Sequence, residues 1–309
     1  MITSIFKKSS VVNYALIVIL FLVAYFLFQS AASVNLANHI DFSDNSLIII
    51  LLITCFFLVN FIVKKNGLTK NSSYTILFFL LFLLLFPTVF TQSNLLFANF
   101  FLLLAMRRLI SLQTLKAPKE KIFDASMWIF IASLFHFWCI LFIVLVYISI
   151  IFHVSRDYRN WLLPFVAFVT TAVVFYAAAL YFDKTWIDHI LNQTQMHLEL
   201  DYFTNNFQNA ALSFYVVIAL YFLFSMVFSM TNRPLILQAS YKKMIFGFLI
   251  GSIVFILSPD KNNAMLLFTF FPLAVMTTNN IEYSQNQMYQ ETVLLLLIAG
   301  SFFAFFAQL

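Results

Sequence analysis

Charge is the scarcest material in this chain of 309 residues: Asp, Glu, Lys and Arg together make up 9% of it, where a soluble domain carries about 25%. So little polar side-chain surface cannot coat a water-facing globule, which excludes a soluble protein. Glycine is almost missing, with 4 residues, so few helix pairs can approach closely through small side chains. The same shortage, together with the lack of period-two alternation, argues against a β-barrel. The 2 cysteines, Cys55 and Cys139, both lie inside apolar runs, far apart in the chain. They give no sign of a disulfide framework or a metal site.

What fills the chain instead is hydrocarbon, with 63% apolar residues and 42 Phe. A bilayer core of about 30 Å is crossed by roughly 17–25 apolar residues in a helix. Runs of that kind lie at 11–28, 46–63, 73–90, 95–110, 161–181, 210–230, 244–258, 264–277 and 292–307. The first follows Lys7 and Lys8 and precedes the small residues Ser30 and Ala32, as a secretion signal would. It exceeds the usual signal core of roughly 7–15 residues and therefore reads as a span. From Ile122 to Val154 the chain is almost uninterrupted apolar sequence. As one helix at about 1.5 Å per residue it would be too long for one crossing, yet it is short for two.

Charge bias chooses between those readings. If the region is a hairpin broken near His136 and Trp138 and the N-terminus is cytoplasmic, the fold is an all-α, polytopic transmembrane helix bundle of about eleven spans. Of the 17 basic residues, only Lys184 and Lys261 then fall outside, which is the positive-inside pattern. A single crossing would move Arg156, Arg159, Arg233, Lys242 and Lys243 to the outer side. The net charge of +5 is thus an orientation signal, and no basic groove with interleaved aromatics points to nucleic acid. No segment outside the spans is long enough for a second folded domain, so residues 1–309 form a single integral membrane domain.

The outer face as threaded is electronegative, with Asp41, Asp44, Asp183, Asp188, Glu199, Asp201 and Asp260. In the largest outer loop, 182–209, Ile187, Ile190, Leu191 and Leu198 share one stripe with Trp186 alongside, and His189, Gln193 and His197 another. This predicts an amphipathic helix lying in the membrane interface, which either seals the bundle or frames an entrance from the lipid. His189 and His197 are about 12 Å apart along a helix, too far to chelate one metal. The first outer loop, 29–45, brings Asp41 and Asp44 together with His39, and a carboxylate there could act as general base on a substrate hydroxyl. Alternatively, Ser43 or Asp44 caps the next helix. No ionisable residue stands near the middle of a span, which counts against proton- or ion-coupled transport.

The stretches Met1 to Phe6, Asn99 to Leu112 with its Arg107-Arg108 pair, Lys119 to Trp138, Arg156 to Pro164 and Ser258 to Glu282 together resemble an uncharacterised family of multi-pass membrane proteins from Bacteroidota. That resemblance spans essentially the whole chain and implies a bacterial inner membrane location, with no activity attached. A partial resemblance joins Ser258 to Ala274, with Lys261 ahead of a helix containing Pro272, and the paired helices of 123–152 to the polytopic glycosyltransferases of the C superfamily. It implies a polyprenyl-phosphate-linked sugar as donor, Asp41 or Asp44 as catalytic base, and Lys261 with Lys184 as phosphate-binding residues. The first outer loop, at about 17 residues, is much shorter than in those enzymes. No cofactor is implied. The expected function is therefore lipid-linked sugar transfer in envelope glycan or glycolipid assembly. The alternatives are a non-catalytic subunit whose basic inner face, with Arg107, Arg108 and 116–121, docks a membrane or cytoplasmic protein, and a flippase or permease.

Overall fold

The computed structural model describes residues 2–35, 42–195, 205–259 and 261–309. Among the described residues every regular element is helical. The first seven α-helices are α1 (Ile2–Phe6), α2 (Val11–Asn35), α3 (Phe42–Asn66), α4 (Tyr74–Leu85), α5 (Ser93–Ser111), α6 (Pro118–Phe135) and α7 (Ile143–His153). They are followed by α8 (Arg159–Tyr181), α9 (Thr185–Gln193), α10 (Asn206–Ser229), α11 (Leu235–Leu257), α12 (Leu267–Tyr283) and α13 (Gln287–Ala307). Eight of these helical stretches are long and apolar enough to cross a membrane, and shorter apolar stretches occupy Tyr74–Leu85 and Phe137–His153. Helix α6 begins four residues ahead of the expected hairpin region 122–154 and carries Lys119, Glu120, Lys121 and Asp124 in its first two turns.

The chain gathers into two compact units, one of 1–93, 201–232 and 270–309, the other of 94–200 and 233–269. In the first, α4 is the central element: all its residues are buried, against α2, α3, α10 and α13. The run expected to span 73–90 ends as α-helix at Leu85 because Pro87 lacks an N–H and pushes the residue before it out of the α region. Phe86 accordingly has φ −132° and ψ 74°, and a 3₁₀ turn covers Pro87–Thr91. Phe86, Pro87, Val89 and Phe90 of this irregular stretch are buried while Thr91 is exposed, and the backbone bonds locally, with Phe86 N–H on Leu83 O, Val89 N–H on Phe86 O and Gln92 N–H on Val89 O, as non-helical chain at membrane depth requires. The Phe82, Phe86, Tyr215 and Phe270 rings pack around it at 5.4–6.1 Å.

Polar side chains of the first unit turn inward to the backbone. Thr277 and Thr278 donate to carbonyls one turn back, and the Asn279 amide donates to Val275 O and Leu68 O. Such bonds make buried polar groups tolerable. Helix α2 continues to Asn35 and α3 starts at Phe42, so much of the expected outer loop 29–45 is helix.

The second unit has a direction. Arg108 pairs with Asp124 at 2.8 Å, and Lys119 with Asp157 at 3.2 Å, so the end of α5, the start of α6 and the residues after α7 lie together. The region 122–154 is therefore a hairpin, broken at His136. Lys243 in α11 reaches Leu109 O at 2.6 Å and Ser240 reaches Gln113 at 3.1 Å, which puts the start of α11 at the same end. That end collects Arg107, Arg108, Lys116, Lys119, Lys121, Arg156, Arg159, Arg233, Lys242 and Lys243, whereas Lys184 and Lys261 belong to the other.

Candidate functional site

The hairpin break builds the end of the second unit away from its basic residues. Helix α6 stops at Phe135, and His136 is extended with φ −146° and ψ 105° before a 3₁₀ stretch, Phe137–Phe142. Two long-range contacts hold this kink. His136 Nε2 lies 2.9 Å from Ser258 Oγ, and Phe137 N–H donates to Gln193 Oε1 at 3.1 Å. The Ser258 hydroxyl already donates to Val254 O at 2.8 Å, so Nε2 of His136 carries the proton and Ser258 accepts it. A hydroxyl committed in this way is not a nucleophile awaiting a base. The pair is a clasp between the break and the end of α11.

Beside the break, α6 and α8 leave an apolar groove of about 670 Å³, within the roughly 300–1,000 Å³ of ligand pockets. Phe130, Leu134 and Phe137 form one wall, Phe168 and Ala172 the other, and Ile190 of α9 closes the end. A second pocket of about 490 Å³ adjoins it, sharing Leu134, Phe175 and Ile190 and adding the more polar Asn94, Thr185 and Trp186. Helix α8 presents Phe165, Val166, Val173 and Val174 outward, and only 17% of its most apolar stretch is buried. An apolar helix so exposed faces lipid.

Helix α9 is the described part of the amphipathic element expected in 182–209. Its Ile187 and Ile190 face the groove, while Leu198 and His197 lie outside the described residues, as does the side chain of His189. Asp183 Oδ1 accepts the Thr185 N–H at 2.9 Å and starts the helix. That bond, with the Thr185 hydroxyl, holds the Asp183 carboxyl below its usual range. Lys184 is the N-cap residue of α9 and is exposed. Lys261 is partly exposed and lies just past Ser258.

The acidic half of the expected site is placed less fully. Asp41 lies outside the described residues, and Asp44 lies at the start of α3, its side chain undescribed. Asp44 belongs to the first unit, and Lys184 and Lys261 to the second. Among the described residues no group of three or more His, Cys, Asp or Glu could hold a metal ion. Cys55 and Cys139 are buried thiols.

The family is decided by a match along the entire chain, residues 1–309, to the model of a family of unknown function, DUF6427. The chain belongs to that family. No curated protein and no solved structure matches it. The features of this member that sequence reasoning missed are the His136–Ser258 clasp and the buried Lys243. Lys243 stands one residue before the expected span 244–258, where it read as an ordinary inner-edge charge. The helix in fact begins at Leu235.

Proposed function

We propose that the second unit binds one chain of an isoprenoid or acyl lipid in the groove between α6 and α8, with an anionic head at the α9 end beside Lys184. The observation that carries this reading is the almost wholly apolar groove, open along a lipid-facing helix and closed by an amphipathic helix whose first flanking residue is a lysine. The groove fits hydrocarbon, and an ammonium group at its polar end suits a phosphate. In this reading the basic end of the unit faces the cytoplasm and the groove's polar end the outside of a bacterial inner membrane. The polyprenyl-phosphate-linked sugar of the C-superfamily resemblance is then the ligand, and sugar transfer in envelope glycan or glycolipid assembly the reaction. Asp41 or Asp44 enters as base from the sequence pattern alone.

Mass spectrometry of lipids retained by the gently extracted protein tests the binding. Wild type should retain a polyprenyl phosphate or its sugar conjugate. Ala172→Trp, which fills the groove, and the Lys184→Ala, Lys261→Ala double variant should both lose it. Retention of bulk phospholipid alone, unchanged in the variants, overturns the proposal.

A second reading, a membrane-complex subunit docking a partner at the basic end, is favoured by the exposure of Lys116, Arg156 and Tyr158 there. It requires a stoichiometric partner in membrane pull-downs. That partner should be lost when Lys116 and Arg156 are replaced by Glu.

A further inference from the structure

The first unit carries a site of different character. Its basic residues are Lys7, Lys8, Lys64, Lys65 and Lys70. Contacts draw them to one end: Ser9 N–H donates to Asn71 O, and the Lys64 ammonium sits 4.9 Å over the Tyr14 ring. A cleft of about 430 Å³ lies at this end, with Lys7, Lys70, Ser72, Glu282, Gln285 and Gln287 in its lining. The lining comes from three separate stretches: the link from α1 to α2, the loop before α4, and the turn between α12 and α13.

Hydrogen bonds fix these walls. Glu282 accepts the Lys70 N–H at 2.7 Å on one carboxylate oxygen and the Ser72 hydroxyl on the other, while the Lys70 ammonium donates to Glu282 O at 3.0 Å. Tyr74 OH donates to Thr3 O at 2.6 Å, tying α1 to α4, and Gln290 donates to Ser284 O at 2.7 Å. Each Glu282 carboxylate oxygen thus accepts a bond from the loop before α4, and the Lys70 ammonium stands on the main-chain carbonyl of the same residue. What the cleft still offers is donors. The Lys7 ammonium has no partner among the described residues, and the Gln285 and Gln287 amides are exposed.

An ammonium group brings three N–H donors and each amide two, a set suited to a group with several acceptor oxygens and a negative charge. We propose that this cleft binds a phosphate group carried on a small polar body, with Lys7 as its cation and the glutamine amides of the α12–α13 turn as further donors. The ligand is either the headgroup of an anionic phospholipid, whose phosphate carries no compensating cation, or a soluble phosphate ester. The proposal goes beyond the lipid groove of the other unit and does not rest on it.

The test uses the full chain in nanodiscs, with thermal unfolding as readout. Phosphatidylcholine discs are compared with discs also containing phosphatidylglycerol, and glycerol 3-phosphate is titrated into the phosphatidylcholine discs. Stabilisation by phosphatidylglycerol alone assigns the headgroup source, and stabilisation by glycerol 3-phosphate the soluble one. In either case Lys7→Gln should weaken the apparent affinity about ten-fold or more, as loss of a charge-assisted bond does. Gln287→Leu should weaken it less, and Lys8→Gln, outside the lining, should leave it unchanged. Lys7 and Gln287 are exposed, so both variants should unfold like wild type without ligand. No stabilisation by either probe, or equal losses in Lys7→Gln and Lys8→Gln, overturns the proposal.

Discussion

The Lys243 ammonium donates to the Leu109 carbonyl at 2.6 Å from a side chain with 0% exposure. Leu109 lies in the last turn of α5, where carbonyls have no partner within the helix, and a cation there also opposes the negative end of the helix dipole. Lys121 does the same for Ser111 O at 2.7 Å. Lys243→Met keeps most of the stem but strands the carbonyl, so it should lower stability by about 1–3 kcal/mol. Lys121 is partly exposed, and water can replace it, so Lys121→Met should cost less. Unfolding in mild detergent reads both. Equal stability of Lys243→Met and wild type would remove Lys243 as the anchor of α5 on α11.

The helices themselves were legible because lipid demands long apolar runs, and each expected run overlaps a helix. Their ends were less legible. Helix α4 stops at Leu85 because of Pro87, three residues before the end of the expected run, and α11 starts upstream of its apolar core because Tyr241 and Lys243 are buried by packing. The hairpin break was visible at His136 as an interruption in hydropathy. Its clasp to Ser258, 122 residues away, has no local signature. At the candidate site the basic residues were readable from charge bias, whereas the groove arises from the packing of α6 on α8, which the notable exposure of α8 does not encode in one sequence.

The His136–Ser258 clasp should respond to donor geometry. Ser258→Ala removes the acceptor and leaves the buried Nε2–H unpaired, which should cost about 1–3 kcal/mol. His136→Gln places an amide nitrogen where Nε2 stands and should retain more stability than His136→Leu. If the Gln and Leu variants unfold at the same temperature, the hydrogen bond does not hold the break.

Gly251 marks a close approach in the second unit. A Cβ there would lie 2.8 Å from Thr269 Cγ2 and 3.3 Å from the Phe268 backbone. Gly251→Ala should therefore destabilise, by roughly the 1–3 kcal/mol of overpacking. Thr269→Ser removes the closest methyl while keeping the hydroxyl that donates to Leu266 O, so it should rescue part of the loss and leave the part due to Phe268. Thermal unfolding of both single variants and the double variant measures the coupling, and purely additive effects would contradict the contact.

Asp157 gives a pH signature outside the spans. The Arg159 backbone N–H and then the Lys119 side chain hold its carboxyl below the usual range. A carboxylate depressed in the folded state contributes stability above its unfolded pKa and loses it as pH falls through the folded value. Wild type should exceed Asp157→Asn in stability at neutral pH, and the gap should close in acid. The pair is exposed, so the gap should be small and should also shrink in high salt. A gap that widens in acid would contradict the pairing.

Sugar transfer separates an enzyme from a scaffold. A general base contributes about 10²–10⁴-fold to rate when it reaches the acceptor hydroxyl, so Asp41→Asn with Asp44→Asn should reduce kcat by that order and leave retention of the donor lipid intact. The Lys184 and Lys261 replacements should act instead on donor retention and KM. Asp44 stands at the start of α3, where a negative charge favours the helix, so Asp44→Asn alone serves as the stability control. Unchanged transfer in the double Asn variant would refute the assigned base. A wild-type protein that retains the polyprenyl lipid yet transfers no sugar from any such donor would instead be a lipid-binding scaffold.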